Sequence, residues 1–334
     1  MSLFIDVHSH VSPFEFPAAP NAAVSPRWPC MQCQSSVEGT LMIGESPFRK
    51  LDARSWDVER RIEDMDRDGV DIQVLSPMPE LLSYWLDLAD AQILCDAANN
   101  QIASMVSAAP GRFRGLGSVP LQHPETAARM LPRLKTEFGL KGVEIGSNIN
   151  GKLLGYPEFD PFWEAAEAEG MAVFVHALHP VAAKNLTPPH TNYTGFALFP
   201  VDTGMTASSI IMGGVLDRFP RLRIAFSHGG GTLGAMIGRL QLGWSTAGGA
   251  DGGGTLAPID QAKRFFYDTN VYDPEYLTYL ATRLAPGQVL AGTDYPYQIM
   301  QQDPARWIRS MGLPAEVERS ICSGAAGRFL SENF

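Results

Sequence analysis

Two histidines two residues apart, His8 and His10 in the segment FIDVHSH, are the first residues of this chain that could do chemistry. A third histidine, His176, ends the apolar run MAVFVH, and Asp294 follows the apolar run VLAG. Each follows a stretch typical of a β-strand, on which side chains two apart point to the same side. Imidazole and carboxylate groups suit divalent first-row metals. The four residues predict one metal ion, most simply Zn²⁺ with an open position for water; Mn²⁺, Co²⁺ and Fe²⁺ suit the same ligands.

A further histidine, His228, ends the apolar run LRIAFSH. A histidine within hydrogen-bond reach of a metal-bound water can take and return its proton near neutral pH. The glycines that follow it, in HGGG, also occur in the oxyanion-hole loops of some esterases. No GxSxG segment that would hold a serine nucleophile occurs in the chain. We therefore prefer an acid–base role for His228.

Eight apolar segments typical of strands alternate with helix-like segments, and this alternation predicts a parallel sheet covered by helices. Eight repeats favour a closed (β/α)₈ barrel of the TIM type over an open Rossmann-like sheet, since no GxGxxG follows the first strand. In such a barrel the five residues above meet at the carboxyl ends of the strands. The predicted strands span 3–8, 70–76, 113–119, 142–146, 172–176, 222–227, 265–269 and 289–292.

The length and pattern predict a single domain over residues 1–334 with two additions to the barrel. Residues 12–54 separate the first strand from its helix, are rich in proline and small residues, and contain a hairpin-like pair, PCMQCQSSV and GTLMIG. We expect this insertion to act as a lid over the barrel mouth. Residues 314–334 are expected to form one or two closing helices. A glycine-rich loop is expected at 245–257.

Composition argues against several classes of partner. The formal net charge is −10 and no run of lysine or arginine occurs, so nucleic acid is not expected as a partner. No apolar run is long enough for a membrane span and no secretory signal is seen. We therefore expect no membrane partner and no export, and we expect a cytoplasmic location.

Cys30 and Cys33 form a single CxxC, which we interpret as incidental thiols. Arg60 and Arg61 are expected on a solvated helix face.

In combination, HxH after the first strand, histidines after the fifth and sixth and an aspartate after the eighth resemble the amidohydrolase superfamily. The segments DVHSH, MIGESPFRK, VFVHALHP, FSHGGGTLGAMIGRL and GTDYPY resemble its decarboxylase branch. The resemblance implies that the metal is held by His8, His10, His176 and Asp294. It also implies that His228 and Asp294 take part in catalysis and that no organic cofactor is needed.

The resemblance further implies how a small carboxylate substrate is bound. Arg49, in the lid motif SPFRK, and Arg239, in IGRL, are implied to bind substrate carboxylate, and Arg239 to reach in from the neighbouring subunit of a homodimer. Phe48 is expected beside the substrate, and the family's aromatic substrate neighbour, which this chain does not clearly match, is expected to be Tyr193 or Phe196. Many amidohydrolases carry a carbamylated lysine at the end of the fourth strand that bridges two metals; Lys141 lies at the start of that strand, so one metal is expected.

The activity that the resemblance implies is metal-dependent, non-oxidative decarboxylation of an unsaturated or aromatic carboxylic acid. The acid is expected to be aminocarboxymuconate-semialdehyde-like or hydroxybenzoate-like. Three alternatives stay open at this point: hydration of an oxalomesaconate-like diacid, hydrolysis of an amide or lactone, and a barrel that binds a metal or ligand without catalysis.

Overall fold

A computed structural model of the protein describes residues 3–187, 192–248 and 254–334. In this part of the chain thirteen strands form, labelled β1 to β13 in order. Their bounds are Ile5–Val11, Pro29–Cys33, Glu38–Ile43, Ser46–Asp52, Ile72–Pro77, Phe113–Gly117, Gly142–Gly146, Asn148–Ile149, Lys152–Leu153, Ala172–His176, Arg223–Phe226, Phe266–Asp268 and Val289–Leu290.

Twelve α-helices, labelled α1 to α12, are found in the same described ranges, and most of them lie between consecutive barrel strands. Three short π-helical turns, at 194–198, 280–284 and 320–324, adjoin α5, α9 and α12. The helices span Val58–Asp68, Leu88–Ala108, Pro124–Thr136, Asp160–Glu169, Phe199–Met212, Val215–Arg218, Leu233–Thr246, Pro258–Ala262, Pro274–Tyr279, Pro304–Ser310, Ala315–Arg319 and Ala325–Leu330.

Eight parallel strands form one sheet, in the order β1, β5, β6, β7, β10, β11, β12, β13. The segment after β13 returns to β1 and nearly closes the sheet. Asp294 N donates to His8 O (2.8 Å) and His10 N donates to Tyr295 O (2.7 Å). The predicted (β/α)₈ barrel is confirmed, and each of the eight predicted strands contains a strand of this sheet or overlaps one.

The amino-terminal end of the barrel is filled by apolar side chains and covered by the end of the chain. Phe329 of α12 packs on Phe266 with ring centroids 5.3 Å apart, and Glu332 pairs with Arg114 and Lys141. The closing segment thus covers this end of the barrel with apolar packing and two ion pairs. The interior cluster consists of Ile5, Val7, Ile72, Val74, Leu116, Ala172, Phe174, Ala225, Phe266, Leu290, Ala325, Ala326, Phe329 and Leu330.

The insertion between β1 and α1 forms a three-stranded antiparallel sheet, β2–β3–β4, one strand more than the expected pair. Leu41 of β3 and Leu51 of β4 pack against Met78 and Leu81. Because these two residues directly follow β5, the small sheet rests at the carboxyl end of the barrel strands.

Arg61 corrects the expectation of a solvated helix face on α1. Its side chain is fully buried and its Nη1 atom donates to the carbonyl oxygens of His10 (2.9 Å) and Arg54 (2.7 Å), while Nη2 donates to Ser9 Oγ (3.1 Å). The side chain of Arg60 is 45% exposed, as expected. The two neighbours differ because α1 turns the Arg61 side toward β1, where the guanidinium satisfies carbonyl groups.

Within the described residues, no helix is long and apolar enough to cross a membrane. Of the glycine-rich loop expected at 245–257, residues 249–253 lie outside the described part of the chain.

Candidate metal centre

The four predicted ligands come together at the carboxyl end of the barrel, and all four are buried. His8 and His10 lie near the end of β1, His176 ends β10, and Asp294 follows β13. One ligand atom from each residue lies within 4.8 Å of the others. The Nε2 atoms of His8 and His10 are 3.0 Å apart, and each is 3.3 Å from Asp294 Oδ1.

The other ring nitrogen of each histidine is occupied by a hydrogen-bond acceptor. Nδ1 of His8 donates to Asp268 Oδ2 (2.6 Å), and Nδ1 of His10 donates to the Pro77 carbonyl (3.1 Å). Nδ1 of His176 donates to the Ala177 carbonyl (2.8 Å). Since a neutral imidazole carries one proton, each Nε2 is left with a free lone pair directed at the cluster.

This arrangement fits a divalent cation. His176 Nε2 and Asp294 Oδ1 are buried without a hydrogen-bond partner among the described residues, and an orphaned polar atom in the interior is costly. Two ligand atoms that are each about 2.0–2.1 Å from one zinc ion are about 3 Å apart, close to the separations between His8, His10 and Asp294. Three imidazole nitrogens and one carboxylate oxygen would then share the ion.

The electrostatics of the cluster keep two of the three imidazoles neutral, which is the form that binds a metal. Burial and the charge of His8 lower the pKa of His10 to about 4, and burial holds the pKa of His176 well below its usual range. Burial opposes charge on His8 too, but the carboxylates of Asp294 and Asp268 outweigh it and raise the pKa of His8 well above normal. The carboxylates beside His8 thus supply negative charge that a divalent ion would balance.

The backbone at the site adopts uncommon conformations. Asp294 and His228 have φ angles of 65° and 55°, in the left-handed region that residues with side chains rarely enter. Gly292 lies so close to His8 and Asp268 that an added Cβ would come within 2.9 Å of the Cβ atoms of both. The strand ends are therefore shaped to bring these side chains together.

His228 follows β11 in a short turn and lies beside the four ligands. Its ring centroid is 5.1 Å from that of His176 and 5.5 Å from that of His8, and Nδ1 is 3.1 Å from Ser227 Oγ. Burial lowers its pKa below the usual range, which favours the neutral, proton-accepting form. The geometry places a titratable imidazole at the edge of the ligand cluster.

The structure brings Arg49 to the mouth of this site. Arg49 lies on β4, and its guanidinium carbon is 4.5 Å from the ring centroid of Tyr297 and 5.6 Å from that of Phe48. The Tyr297 ring in turn stacks on His10, with centroids 5.1 Å apart and an interplanar angle of 24°. Phe48 itself is 41% exposed, and its ring contacts the guanidinium of Arg49.

Two other candidate residues are not joined to the site within the described chain. Arg239 is exposed on α7, and no hydrogen bond or ion pair of its side chain is found among the described residues. No ring contact or hydrogen bond in that part of the chain joins Tyr193 to the four ligands. Phe199 does lie beside the site, with its ring centroid 6.3 Å from that of His176 and 6.4 Å from that of His228.

Besides Phe199, sequence reasoning left out Glu144 and Tyr297. Glu144 is buried in β7, accepts a hydrogen bond from Ser76 Oγ (2.5 Å) and lies 3.6 Å from His10 Nδ1. Burial raises its pKa to about 8. A charged residue inside the apolar segment GVEIG was the signal for Glu144. For Tyr297 the signal was its place three residues after Asp294.

A family model and a curated relative both match nearly the whole chain. The family model described as amidohydrolase matches residues 5–331. A curated relative from Dictyostelium discoideum, 2-amino-3-carboxymuconate-6-semialdehyde decarboxylase, is 35% identical over 333 residues, which cover 98% of this chain and 92% of the relative.

Solved structures agree with the same fold. The crystal structure of 5-carboxyvanillate decarboxylase from Sphingomonas paucimobilis matches with a TM-score of 0.84 and 27% identity, covering 100% of both chains. A 5-carboxyvanillate decarboxylase from Novosphingobium aromaticivorans, complexed with manganese and 4-hydroxy-3-methoxy-5-nitrobenzoic acid, matches with a TM-score of 0.74 and 27% identity. That match covers 83% of this chain and 81% of the other.

Proposed function

This chain belongs to the amidohydrolase family, and we propose that it is a metal-dependent, non-oxidative decarboxylase of an unsaturated or aromatic carboxylic acid. The observation that carries the proposal is the convergence of three oriented Nε2 atoms and one carboxylate oxygen beside His228. Relatives and structural neighbours named as decarboxylases support the reaction class.

His8, His10, His176 and Asp294 would hold the metal. A divalent ion bound there supplies Lewis-acid chemistry by drawing electron density from oxygen ligands. His228, neutral at rest, is placed to take a proton from water and pass it to the substrate carbon that bears the carboxylate. With that carbon protonated, the electrons of the breaking C–C bond return to the unsaturated system as CO₂ leaves.

Arg49 is proposed to bind substrate carboxylate, because its planar guanidinium suits carboxylate oxygens and it contacts Tyr297, which stacks on the proposed ligand His10. The insertion would then act as a lid. Arg239, exposed on α7, is proposed to complete the site of a neighbouring subunit in a homodimer. Phe48 and Tyr193 remain proposed substrate neighbours.

We rank an aminocarboxymuconate-semialdehyde-like acid first, because the relative of that activity is similar over nearly the whole chain. Hydroxybenzoate-like acids come next, given the 5-carboxyvanillate decarboxylases. For the metal, the imidazole-rich ligand set supports zinc, and the manganese complex of a neighbour supports manganese as the main alternative.

The proposal is tested by measuring CO₂ release from a panel of carboxymuconate semialdehydes and hydroxybenzoic acids. Protein loaded with zinc or manganese is compared with metal-stripped protein and with Asp294→Asn. Metal-dependent release from one acid, lost in the variant, is the expected result. No release from any acid by protein with stoichiometric metal would reject the decarboxylase and leave the hydratase and hydrolase alternatives.

A further inference from the structure

The hydroxyl group of Tyr297 stands apart from the other buried phenols of the described chain. It is buried and has no hydrogen-bond partner there. Tyr267 and Tyr295 donate to Ala262 O (2.7 Å) and Asp64 Oδ2 (2.9 Å), and Tyr84 accepts from Gly146 N (3.1 Å). A buried hydroxyl without a partner is unfavourable, which favours a partner that arrives with a ligand.

The position of the Tyr297 ring indicates where such a ligand would bind. The Tyr297 ring stacks on the imidazole of the proposed ligand His10 and carries the guanidinium of Arg49 at 4.5 Å. The phenol thus lies between His10 of the proposed metal centre and Arg49 of the small sheet β2–β3–β4. Charged groups whose fields reach it include Arg49, Asp294, Glu144 and Glu80.

The charge beside Tyr297 indicates what kind of acceptor its hydroxyl group would bind. Among the described residues the guanidinium of Arg49 has no carboxylate partner, so an unpaired cation lies over the ring of a tyrosine whose O–H group is unused. A neutral phenol donates most strongly to an anionic oxygen, and a guanidinium favours the same oxygen. The two donors together match a carboxylate better than a neutral group.

We propose that Tyr297 is a specificity-determining residue whose hydroxyl donates a hydrogen bond to the substrate's carboxylate, so that Tyr297 and Arg49 bind the same group. The inference rests on the proposed function, which supplies the carboxylate substrate. It adds a second hydrogen-bond donor to that carboxylate and explains why the site would prefer acids. The Tyr297 ring also fixes the guanidinium at the mouth through the cation–π contact.

Tyr297→Phe removes the hydroxyl and keeps the ring. Salicylate and 2-methylphenol serve as probes of matched shape, with and without a carboxylate, and their binding to metal-loaded protein is followed by titration calorimetry and ligand-observed NMR. We expect the variant to bind salicylate about tenfold more weakly or worse and 2-methylphenol within about twofold of the wild type. Tyr279→Phe, on the outer helix α9, is the matched control and should change neither.

Equal weakening for both probes would mean a packing role and would overturn the proposal, as would unchanged binding of salicylate. A double-mutant cycle with Arg49→Gln adds a second test. Non-additive losses for salicylate are expected if both residues bind one carboxylate, and additive losses would overturn that pairing.

Failure of this inference is distinguishable from failure of the proposed function. If salicylate binding depends on the Tyr297 hydroxyl but no acid releases CO₂, only the decarboxylase proposal is rejected. CO₂ release with salicylate binding that ignores the hydroxyl rejects only the role of Tyr297. Wild-type protein that binds no acid at all rejects the inference.

Discussion

The proton position on each proposed metal ligand is set by a partner that lies far away in the sequence or on the backbone. Asp268 binds Nδ1 of His8 across 260 residues, whereas backbone carbonyls bind Nδ1 of His10 and of His176. The charged partner also accepts from Gly229 N (2.8 Å), so its own position is fixed. His8 is therefore the ligand whose orientation depends most on a single side chain.

Replacing Asp268 by asparagine should weaken metal binding by about 10–100-fold. The amide removes the negative charge that stabilises the Nδ1–H tautomer of His8. The dissociation constant for zinc is measured by competition with a chromophoric chelator. The surface variant Asp260→Asn, with a side chain 61% exposed, is the control. An Asp268→Asn protein that holds zinc as tightly as the wild type would contradict the role given to this carboxylate.

His228→Gln should keep the metal and lose turnover by about 100-fold or more, because glutamine can donate a hydrogen bond but cannot carry the proton. Metal content by elemental analysis and kcat on the best acid of the panel are both needed. His123→Gln, at the exposed start of α3, is the control and should match the wild type. Loss of metal together with turnover would instead make His228 a ligand.

The sequence could identify those site residues that are marked by the residues immediately around them. The proposed ligands each end or follow an apolar run, and the barrel then brings them together. Glu144, Tyr297 and Phe199 were not found, because their roles come from ring contacts and hydrogen bonds between distant segments. Such contacts exist only once the sheet has closed, and no local pattern encodes them.

At the scale of elements, the barrel strands could be predicted and the small sheet only in part. Barrel strands are buried on both faces and read as apolar runs. The third strand of the insertion, β4, has the sequence SPFRKLD, in which Leu51 alone is buried. A strand that buries one residue shows no alternation to detect, although it carries Arg49 and Phe48.

The same reasoning explains why the burial of Arg61 was missed. Two adjacent arginines on a charged helix look alike in the sequence, and only the direction of the helix against β1 separates them. Arg61 satisfies two carbonyl groups and Ser9 at the strand that carries His8 and His10. α1 thus fixes the end of β1 through one side chain.

Arg61→Met should lower the free energy of unfolding by about 3 kcal/mol or more, because buried carbonyl groups lose a charged donor. Arg60→Met, one residue earlier on the same helix, should cost less than about 1 kcal/mol, since its guanidinium is largely exposed. Urea unfolding of metal-free proteins measures both and keeps the metal out of the comparison. Equal losses for the two variants would refute the distinction.

At the scale of the whole molecule, the ligand set joins the first, fifth and last strands of the barrel. A metal held by β1, β10 and the segment after β13 links opposite sides of the sheet as well as its closing edge. We therefore expect metal to stabilise the native fold. At a thousand times the dissociation constant the gain is about 4 kcal/mol.

This gain should appear as a higher Tm when zinc or manganese is added to stripped protein. His176→Ala should abolish most of the increase, because it removes the ligand contributed by β10. Magnesium at the same concentration is the control for ionic effects. A Tm that does not respond to the metal in the wild type would count against a native metal site.

The proposed homodimer makes a prediction that concerns two copies of the chain. If each site uses its own Arg49 and the partner's Arg239, a hybrid of an Arg49→Ala subunit and an Arg239→Ala subunit contains one complete site and one site that lacks both arginines. Co-expression with two different affinity tags allows the hybrid to be isolated. It should recover about half of the wild-type activity per dimer, whereas each parent alone stays inactive.

A matched hybrid distinguishes a shared site from simple stabilisation by a partner. When the Arg49→Ala subunit is paired with an Asp294→Asn subunit, one site lacks its arginine and the other its proposed metal ligand, so no activity should return. Recovery in this control would mean that Arg239 is not the residue exchanged. Absence of recovery in the first hybrid, with the dimer confirmed by light scattering, would place Arg239 outside the site, because every residue that a complete site needs is present in that pair.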